Sequence, residues 1–359
     1  MKWFPMQMTS LHATKSDLDA CRALLRNGSR SFHAASKLLP ARVFEPAGSL
    51  YAFCRLADDE IDDAVDGRAL EPTTPEIALS RLQQRLDAAY AGTPRNHPVD
   101  RALADMLQAS RMPRALPEAL LEGFSWDAEA REYETLSDVL AYAARVAGAV
   151  GAMMTVLMGR TQATTVARAC DLGCAMQLSN IARDVGEDAR AGRIYLPRAW
   201  LREEGIDPDA FLANPVYSPG IGRTVQRLLA VADQLYRRAD SGITQLPLSC
   251  RPGIGAARLM YAEIGHQVSR AGCNSIDRRA VVSGRRKLAL LAHSTLRALR
   301  PGHASKLPPL DETRFLVEAV SHAFPQPDTA RSGQIAWAIE LFARLDTQDA
   351  RMSGATARP

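Results

Sequence analysis

The sequence predicts an all-α fold, and three features of its 359 residues support this prediction. Apolar residues make up 47 % of the chain, enough for a substantial core, and Ala and Leu dominate them. Aromatic residues make up only 6 %, long β-branched runs are missing, and no two-residue turn lies between alternating strands. Ala and Leu favour helices, whereas aromatic and β-branched residues favour strands. We therefore expect a bundle of helices.

Capping residues, glycines and prolines mark where these helices begin and end. The first runs from about Asp17 to Gly28, the second is stopped by Pro40, and the third runs from about Pro46 to Gly67. Further helices are expected over about 76–91, 98–111, 117–130, 137–159, 163–189, 220–244, 253–273 and 284–299. Residues 191–215 mix loop and short helix, and no internal repeat is present.

Composition shifts along the chain predict three parts. Residues 1–15 are expected to be a flexible leader, and residues 16–300 one large helical domain. After Pro301 the chain becomes richer in Pro, Asp and Thr. We expect residues 301–359 to be an appendage with one or two short helices, over 311–324 and 334–345, and a disordered end.

Charge and cysteine usage limit the possible partners and compartment. The net charge of +4 is modest and gives no reason to expect a nucleic-acid partner, although the Arg-rich stretch 278–287 suits an anionic membrane surface. The six cysteines form no Cys-x-x-Cys pair and no zinc-finger spacing with His, which favours reduced thiols in a cytosolic protein. No signal peptide is recognisable, and no run of about 18 apolar residues predicts a transmembrane helix.

Two acidic clusters of matching spacing are the most informative feature of the sequence. The second cluster lies on the predicted helix 163–189, where four oxygen-bearing side chains follow spacings of 3, 4 and 4 along one face: Gln177, Asn180, Asp184 and Asp188. The opposite face is apolar. Spacing alone leaves a solvated helix face as an equal alternative, but the neighbouring Arg183 favours a binding site.

The first cluster is denser and lies on the predicted third helix. Asp58 and Asp62 form one i, i+4 pair, and Asp59 and Asp63 form another, with Arg55 one turn before Asp58. An acidic solvated surface is the alternative, whereas the glycine and glutamate of a calcium loop are missing. Carboxylates so placed repel one another unless a cation lies between them. Mg²⁺ ions and arginines that together hold a diphosphate would satisfy both clusters.

Two weaker features could serve either structure or binding. Ser29, Arg30 and Ser31 lie between two helices, where they could bind an anion or act as ordinary capping residues. The small residues of the run 145–154 could let helices pack closely or leave room for a long apolar ligand.

Taken together, these segments resemble the squalene/phytoene synthase family, and within it the bacterial phytoene synthases. The resemblance covers about residues 17–295 and rests on five segments: GSRSFHAASKLLP, YAFCRLADDEIDD, YETLSDVLAYAARVAGAVGAMM, QLSNIARDVGEDARAGRIYLP and RRAVVSGRRKLALL. It implies an isoprenoid synthase helical bundle with a central cavity, so that residues 16–300 would be the catalytic domain. It also implies head-to-head condensation of two geranylgeranyl diphosphates, through prephytoene diphosphate, to phytoene.

The resemblance also implies roles for individual residues. Mg²⁺, or Mn²⁺ in its place, would be held by Asp58, Asp62, Asn180, Asp184 and Asp188. Arg55 and Arg183 would bind the diphosphate. Contacts to the substrate are implied for Ser29, Ser31, Tyr51, Gln177, Asn180, Tyr261 and, by a weaker match, Arg278. A tyrosine common in the family is replaced here by Ala144, and we assign no role to the nearby Tyr142.

Several alternatives and further expectations accompany this interpretation. A squalene- or dehydrosqualene-type synthase that uses farnesyl diphosphate is the main alternative, and a non-catalytic family member is the other. We expect no requirement for NADPH. The expected partners are the prenyl diphosphate substrate, a membrane surface and enzymes of the carotenoid pathway. We expect the protein to be cytoplasmic, bound peripherally at the inner face of the cell membrane.

Overall fold

The computed structural model describes residues 12–65, 67–68, 73–299, 302, 305 and 307–326. Within these residues the chain is helical and contains no strand. The helices are α1 (Lys15–Gly28), α2 (Arg30–Ser36), α3 (Ala41–Val65), α4 (Pro75–Tyr90), α5 (Pro98–Ser110), α6 (Ala115–Ala128), α7 (Leu136–Ala143), α8 (Ala149–Leu157), α9 (Ala163–Arg190), α10 (Arg198–Glu203), α11 (Pro208–Ala213), α12 (Pro219–Ile243), α13 (Arg251–Arg270), α14 (Gly284–Arg297) and α15 (Arg314–Ala323). The prediction of an all-α fold is confirmed.

Most predicted boundaries lie within a few residues of the observed ones, and two differ in kind. Helix α3 begins at Ala41, so Pro46 lies inside the helix and does not start it. The predicted helix 137–159 is divided by one π-helical turn, Ala144–Gly148. The extra residue in such a turn rotates the helix that follows it, and π-turns are frequent at functional sites. The predicted helix 334–345 and most of the leader lie outside the described residues.

Helix α9 is the centre of the bundle and packs against α7, α8, α12, α13 and the π-turn. Small residues allow its close approach to α8. A methyl group on Gly173 would lie 2.2 Å from the carbonyl oxygen of Ala147, and one on Gly151 would lie 2.3 Å from that of Ala169. The small residues of the run 145–154 and of α9 therefore serve close packing, and any larger side chain at either glycine would push the two helices apart.

Residues Met1–Val320 form one compact unit, and Ser321–Pro359 form a second, of which the structure describes residues 321–326. The first unit extends beyond residue 300. Leu316 and Val320, in the part of α15 that belongs to this unit, are fully buried, and Glu312 accepts a hydrogen bond of 2.6 Å from Ser137 on α7.

One helical run is long and apolar enough to cross a membrane, by length and composition alone. It comprises the 22 residues Leu136–Leu157, has a mean hydropathy of 1.6, and is 67 % buried inside the protein. A core helix of a bundle has the same properties, and this run packs against α6 and α9. All six cysteines are free thiols, as the sequence predicts.

Candidate active site

A cavity of about 540 Å³ lies inside the bundle, between α2, α3, α8, α9, α12 and α13. Its wall is mainly apolar, with Leu50, Val146, Val150, Met154, Leu172, Met176, Ile243, Leu246 and Ile254 among the lining residues. The π-turn and α8 thus line the cavity as well as pack against α9. Along α9 the lining runs from Thr165 to Arg183. At about 1.5 Å per residue, the 18 steps from Thr165 to Arg183 span roughly 27 Å.

Polar groups gather where the C-terminal half of α9 meets α2, α3 and α13. The residues of this polar end include Ser29, Ser31, Tyr51, Gln177, Asn180, Arg183 and Tyr261, all of which the sequence analysis assigned to the site. Ser29 caps α2 by accepting a hydrogen bond of 3.2 Å from the backbone N–H of Phe32. It also lies beside Tyr261, whose pKa is raised by burial. The capping and the binding interpretations of Ser29 are therefore compatible.

The acids of α3 lie beyond this polar end, on the same helix as Tyr51. Arg55 donates hydrogen bonds of 3.0 Å to Asp58, through Nη1, and to Asp59, through Nε. Burial and the neighbouring Asp62 carboxylate raise the pKa of Asp58 to about 6. Asp63 lies apart from this group and pairs with Arg68 at 3.3 Å. Arg55 thus binds one member of each i, i+4 pair, whereas Asp63 pairs with Arg68.

The pKa values of the two acids of α9, Asp184 and Asp188, are shifted in opposite directions. Burial alone would raise the pKa of Asp184, but Arg183 and Arg279, with hydrogen bonds of 2.7 Å and 2.8 Å to Oδ1, lower it. The pKa of Asp188 is raised to about 7 by burial and by Asp184. Two carboxyl groups one helical turn apart therefore differ: arginines lower the pKa of Asp184, whereas burial and the Asp184 charge raise that of Asp188.

A basic residue near the phosphate was assigned to Arg278, and the structure favours its neighbour. Both Arg278 and Arg279 are exposed, but Arg279 also lines the cavity and forms a bidentate ion pair with Asp184. The two residues are adjacent and chemically identical, so the sequence offers no signal that separates them. Only the path of the chain after α13 decides which guanidinium enters the site.

Sequence reasoning missed three residues that lie beside the acids: Asp127, Arg193 and Tyr195. Asp127 on α6 is buried and accepts hydrogen bonds from the hydroxyls of Tyr195, at 2.6 Å, and Tyr142, at 2.8 Å. Its pKa is raised by burial. Arg193, in the loop after α9, places Nη1 at 3.5 Å from Oδ1 of Asp62. A lone Asp after Trp126 carries no spacing signal, although GRIYLP, which contains Arg193 and Tyr195, is one of the segments that carry the family resemblance.

The side chains of the two clusters offer carboxylate and amide oxygens, which are the ligands that Mg²⁺ prefers. Within the described part of the chain no three acidic, His or Cys groups form a ready-made metal cluster. Mg²⁺ is commonly held by one or two carboxylates together with substrate phosphates and water, so a full protein cage is unnecessary. The amide oxygen of Asn180 is buried and accepts no hydrogen bond from any described residue, which leaves it available as a ligand.

Comparison with known proteins identifies the family to which the chain belongs. A family model described as squalene/phytoene synthase matches residues 25–286. Phytoene synthase of Cereibacter sphaeroides is 52 % identical over 345 residues, which cover 94 % of this chain and 96 % of that protein. Phytoene synthase of Rhodobacter capsulatus is 54 % identical over 319 residues, which cover 88 % of this chain and 93 % of that protein.

Solved structures agree with the sequence relatives. The crystal structure of a dehydrosqualene synthase in complex with a ligand superposes with a TM-score of 0.71 at 31 % identity, and the match covers 79 % of this chain and 96 % of that chain. The fold is therefore that of the isoprenoid synthase bundle with a central cavity, as the sequence predicts. By its sequence over 25–286 and by its fold, the chain belongs to the squalene/phytoene synthase family.

Proposed function

We propose that this enzyme condenses two molecules of geranylgeranyl diphosphate head to head, through prephytoene diphosphate, to phytoene, the first committed step of carotenoid biosynthesis. The observation that carries the proposal is an apolar cavity whose polar end is lined by Arg183 and Arg279, both bonded to Asp184, with the acids of α3 beyond it. Relatives that share 52 % and 54 % of their residues with this chain are phytoene synthases.

The side chains of the polar end suit the departure of a diphosphate. Arg55, Arg183 and Arg279 supply fixed positive charge where the leaving group gains negative charge. Asp58, Asp62, Asn180, Asp184 and Asp188 would hold Mg²⁺, or Mn²⁺ in its place. When bound, the metal neutralises the diphosphate as it leaves. The allylic cation that remains must be kept from water, which the apolar wall of the cavity does.

The length of the cavity supports a C20 substrate. An extended chain advances roughly 1.2 Å per bond, as in a polypeptide backbone, so the geranylgeranyl chain of 16 main-chain carbons spans about 18 Å. The lining residues of α9, from Thr165 to Arg183, span roughly 27 Å, which is enough for this chain. A farnesyl chain of 12 carbons spans only about 13 Å and would leave part of the apolar wall without contacts.

A squalene- or dehydrosqualene-type condensation of farnesyl diphosphate is the second candidate. The similarity to a solved dehydrosqualene synthase favours it, but at 31 % identity this similarity is weaker than that to the phytoene synthases.

Assays of the purified protein with each diphosphate separate the two candidates. We expect turnover of geranylgeranyl diphosphate to phytoene with Mg²⁺, loss of turnover in EDTA, recovery with Mg²⁺ or Mn²⁺, and no effect of NADPH. A specificity constant for farnesyl diphosphate equal to or above that for geranylgeranyl diphosphate would establish the second candidate. Turnover that persists in EDTA would contradict the metal assignment.

We also propose that the protein binds peripherally to the inner face of the cell membrane through α14. Leu288, Leu296 and the following Leu299 are 68 %, 76 % and 79 % exposed and share the outer side of this helix. No acidic residue occurs from Arg278 to Leu310, a stretch that carries eight basic residues: Arg278, Arg279, Arg285, Arg286, Lys287, Arg297, Arg300 and Lys306. Arg279 and Arg286 form ion pairs with Asp184 and Glu263, but the excess of basic residues beside exposed leucines still suits an anionic bilayer.

Flotation with vesicles tests the membrane proposal. We expect the protein to float with vesicles of phosphatidylcholine and phosphatidylglycerol, and to float less at high salt or with phosphatidylcholine alone. Replacing Leu288, Leu296 and Leu299 by Ser should reduce flotation, whereas Ile77→Ser, at a partly exposed position on α4, should not. Binding that is absent, or that ignores both lipid charge and salt, would refute the proposal. Bilayer binding would also place the hydrocarbon product where later carotenoid enzymes could take it up.

A further inference from the structure

A second cavity of about 250 Å³ lies outside the central cavity and is here called the outer pocket. It is lined by residues of five segments: 126–127 of α6, 130–133, 192–195, Arg198 of α10 and Leu212 of α11. Its walls are joined, because the backbone N–H of Arg198 donates a hydrogen bond of 2.9 Å to the carbonyl oxygen of Tyr133. The outer pocket shares no described lining residue with the central cavity and is therefore a separate site.

Two buried hydrogen-bond donors of the outer pocket have no acceptor among the described residues. One is the hydroxyl of Tyr133, a residue that is 2 % exposed, and the other is Nε of Arg198, whose side chain is 11 % exposed. The Tyr133 ring is fixed by the rings of Tyr142 and Tyr195, whose centroids are 5.2 Å and 5.8 Å away. A buried donor without an acceptor is costly, and a bound ion or water is an ordinary reason for one.

The outer pocket also carries positive charge. Arg131 is exposed, its guanidinium lies 3.8 Å from the centre of the Trp126 ring, and it forms no ion pair with any described carboxylate. Arg193 is paired more loosely than most arginines of the bundle, at 3.5 Å from Asp62. Burial raises the pKa of Tyr133, whereas these two arginines lower it, so both guanidiniums lie near its hydroxyl.

The two acids of the outer pocket are already engaged. Both oxygens of Asp127 accept tyrosine hydroxyls, at 2.6 Å and 2.8 Å, and burial raises its pKa. The charge of Asp127 adds to burial in raising the pKa of Tyr133, which keeps that hydroxyl protonated as a donor. Glu132 is 66 % exposed and lies 2.7 Å from Nη2 of Arg198. These contacts leave the other two arginines and both unpartnered donors available to a ligand.

We propose that the outer pocket binds a phosphate-type oxyanion, and that its ligand is the inorganic diphosphate that the enzyme releases. The choice of diphosphate rests on the proposed function, which frees two diphosphates for each phytoene. Phosphate oxygens accept several hydrogen bonds and match the charge and donors of guanidinium groups. Arg193 lines the outer pocket and lies 3.5 Å from Asp62, so the pocket adjoins the acidic face of α3, where the diphosphate would leave.

Calorimetric titration of the full chain with inorganic diphosphate and with inorganic phosphate, both in EDTA, tests the proposal. Tyr133→Phe removes only the unpartnered hydroxyl, so we expect it to weaken diphosphate binding by about tenfold and to leave the melting temperature unchanged. Tyr90→Phe is the control, because the hydroxyl of Tyr90 donates to the carbonyl oxygen of Met112 and neither residue lines the outer pocket. It should bind diphosphate within about threefold of wild type.

A second variant changes only an exposed side chain. Arg131→Gln should weaken diphosphate binding by about tenfold, since it removes a charge from the outer pocket. Arg114→Gln removes another exposed arginine that lies over an aromatic ring, that of Tyr90, and should not weaken binding. Arg183→Met tests the active site. Weaker binding in Arg183→Met together with wild-type binding in Tyr133→Phe would place the diphosphate among the active-site arginines and overturn the proposal.

The two anions and an assay of phytoene synthesis separate the remaining outcomes. Tighter binding of diphosphate than of phosphate would support the released product as the ligand, whereas phosphate that binds equally well would refute it. Failure of both anions to bind at millimolar concentration would mean that water satisfies the two donors, and would overturn the site. Diphosphate binding that depends on Tyr133, in a protein that makes no phytoene, would refute the proposed function and support the site. Phytoene synthesis without such binding would refute the site alone.

Discussion

Nη1 of Arg193 lies 3.5 Å from Oδ1 of Asp62, although the two residues are 131 positions apart. This contact joins the loop after α9 to the acidic face of α3. Two residues later Tyr195 donates a hydrogen bond of 2.6 Å to Asp127 on α6. The loop that leaves the second acidic helix therefore connects α9 to α3 and α6, next to the acidic face of α3.

Arg193 should consequently be required for activity more than for stability. We expect Arg193→Met to lower kcat/KM for geranylgeranyl diphosphate by about 100-fold, because it removes fixed positive charge beside the diphosphate site. The melting temperature should change little. Arg202→Met, which removes an exposed arginine paired with Glu134, is the control and should keep full activity. An Arg193→Met enzyme within about threefold of wild type would show that the contact with Asp62 is only structural.

The two aspartate pairs of α3 should differ in function. We expect Asp58→Asn to lower turnover by at least about 1,000-fold, because loss of a metal-binding carboxylate removes stabilisation of the leaving diphosphate. Asp63→Asn should remain nearly as active as wild type, since Asp63 pairs with Arg68, whereas Asp58 is bound by Arg55. Steady-state rates measured across a Mg²⁺ titration test this difference. Equal losses in both variants would mean that the whole acidic surface acts together.

Cavity width beside α8 should influence the choice of substrate. Val150 lines the cavity, whereas the adjacent Ala149 is fully buried and does not. Val150→Phe should shift the ratio of kcat/KM for C20 over C15 toward C15 by about tenfold, because the larger ring takes space from the longer chain. The measurement is a competition assay with both diphosphates. A ratio that stays constant in a folded variant would place the bound chain against another wall of the cavity.

Glu263 should make stability depend on pH in the acid range. Burial alone would raise its pKa, but hydrogen bonds from Arg286, Gln267 and Arg270 lower it from 4.5 to about 2. A pKa that is lowered in the folded state contributes stability above pH 4.5, and this contribution is lost as the pH falls toward 2. Because both arginines are about half exposed, we expect about 1–2 kcal/mol.

Urea unfolding of Glu263→Gln and wild type at several pH values tests this expectation. The difference in unfolding free energy should be largest near neutral pH and should vanish near pH 2, since the wild-type carboxyl is then protonating. Asp209→Asn, which removes a carboxylate that is 80 % exposed, is the control and should show a small difference at every pH. A difference that is constant down to pH 2 would assign the effect of Glu263 to packing.

The sequence by itself determined the helices and the pattern of acids along them. Helical periodicity is local, so the spacing of Asp184 and Asp188 places both carboxylates on one face of α9 wherever that helix lies. Capping residues and prolines likewise located most helix ends, because the backbone groups that they satisfy lie within one turn. The family resemblance then connected both clusters to one chemistry.

Only the tertiary structure decided which distant groups meet. It placed Arg279 instead of Arg278 against Asp184, brought Arg193 to Asp62, and turned the head of Arg168 from the cavity toward residues 305–308. Contacts such as these depend on how helices cross and where loops return, and no short-range spacing encodes them. The part of the chain after residue 300 shows this most clearly. Its composition suggested an appendage, yet residues 307–320 pack on the bundle because buried Leu316 and the guanidiniums of Arg168 and Arg238 bind it there.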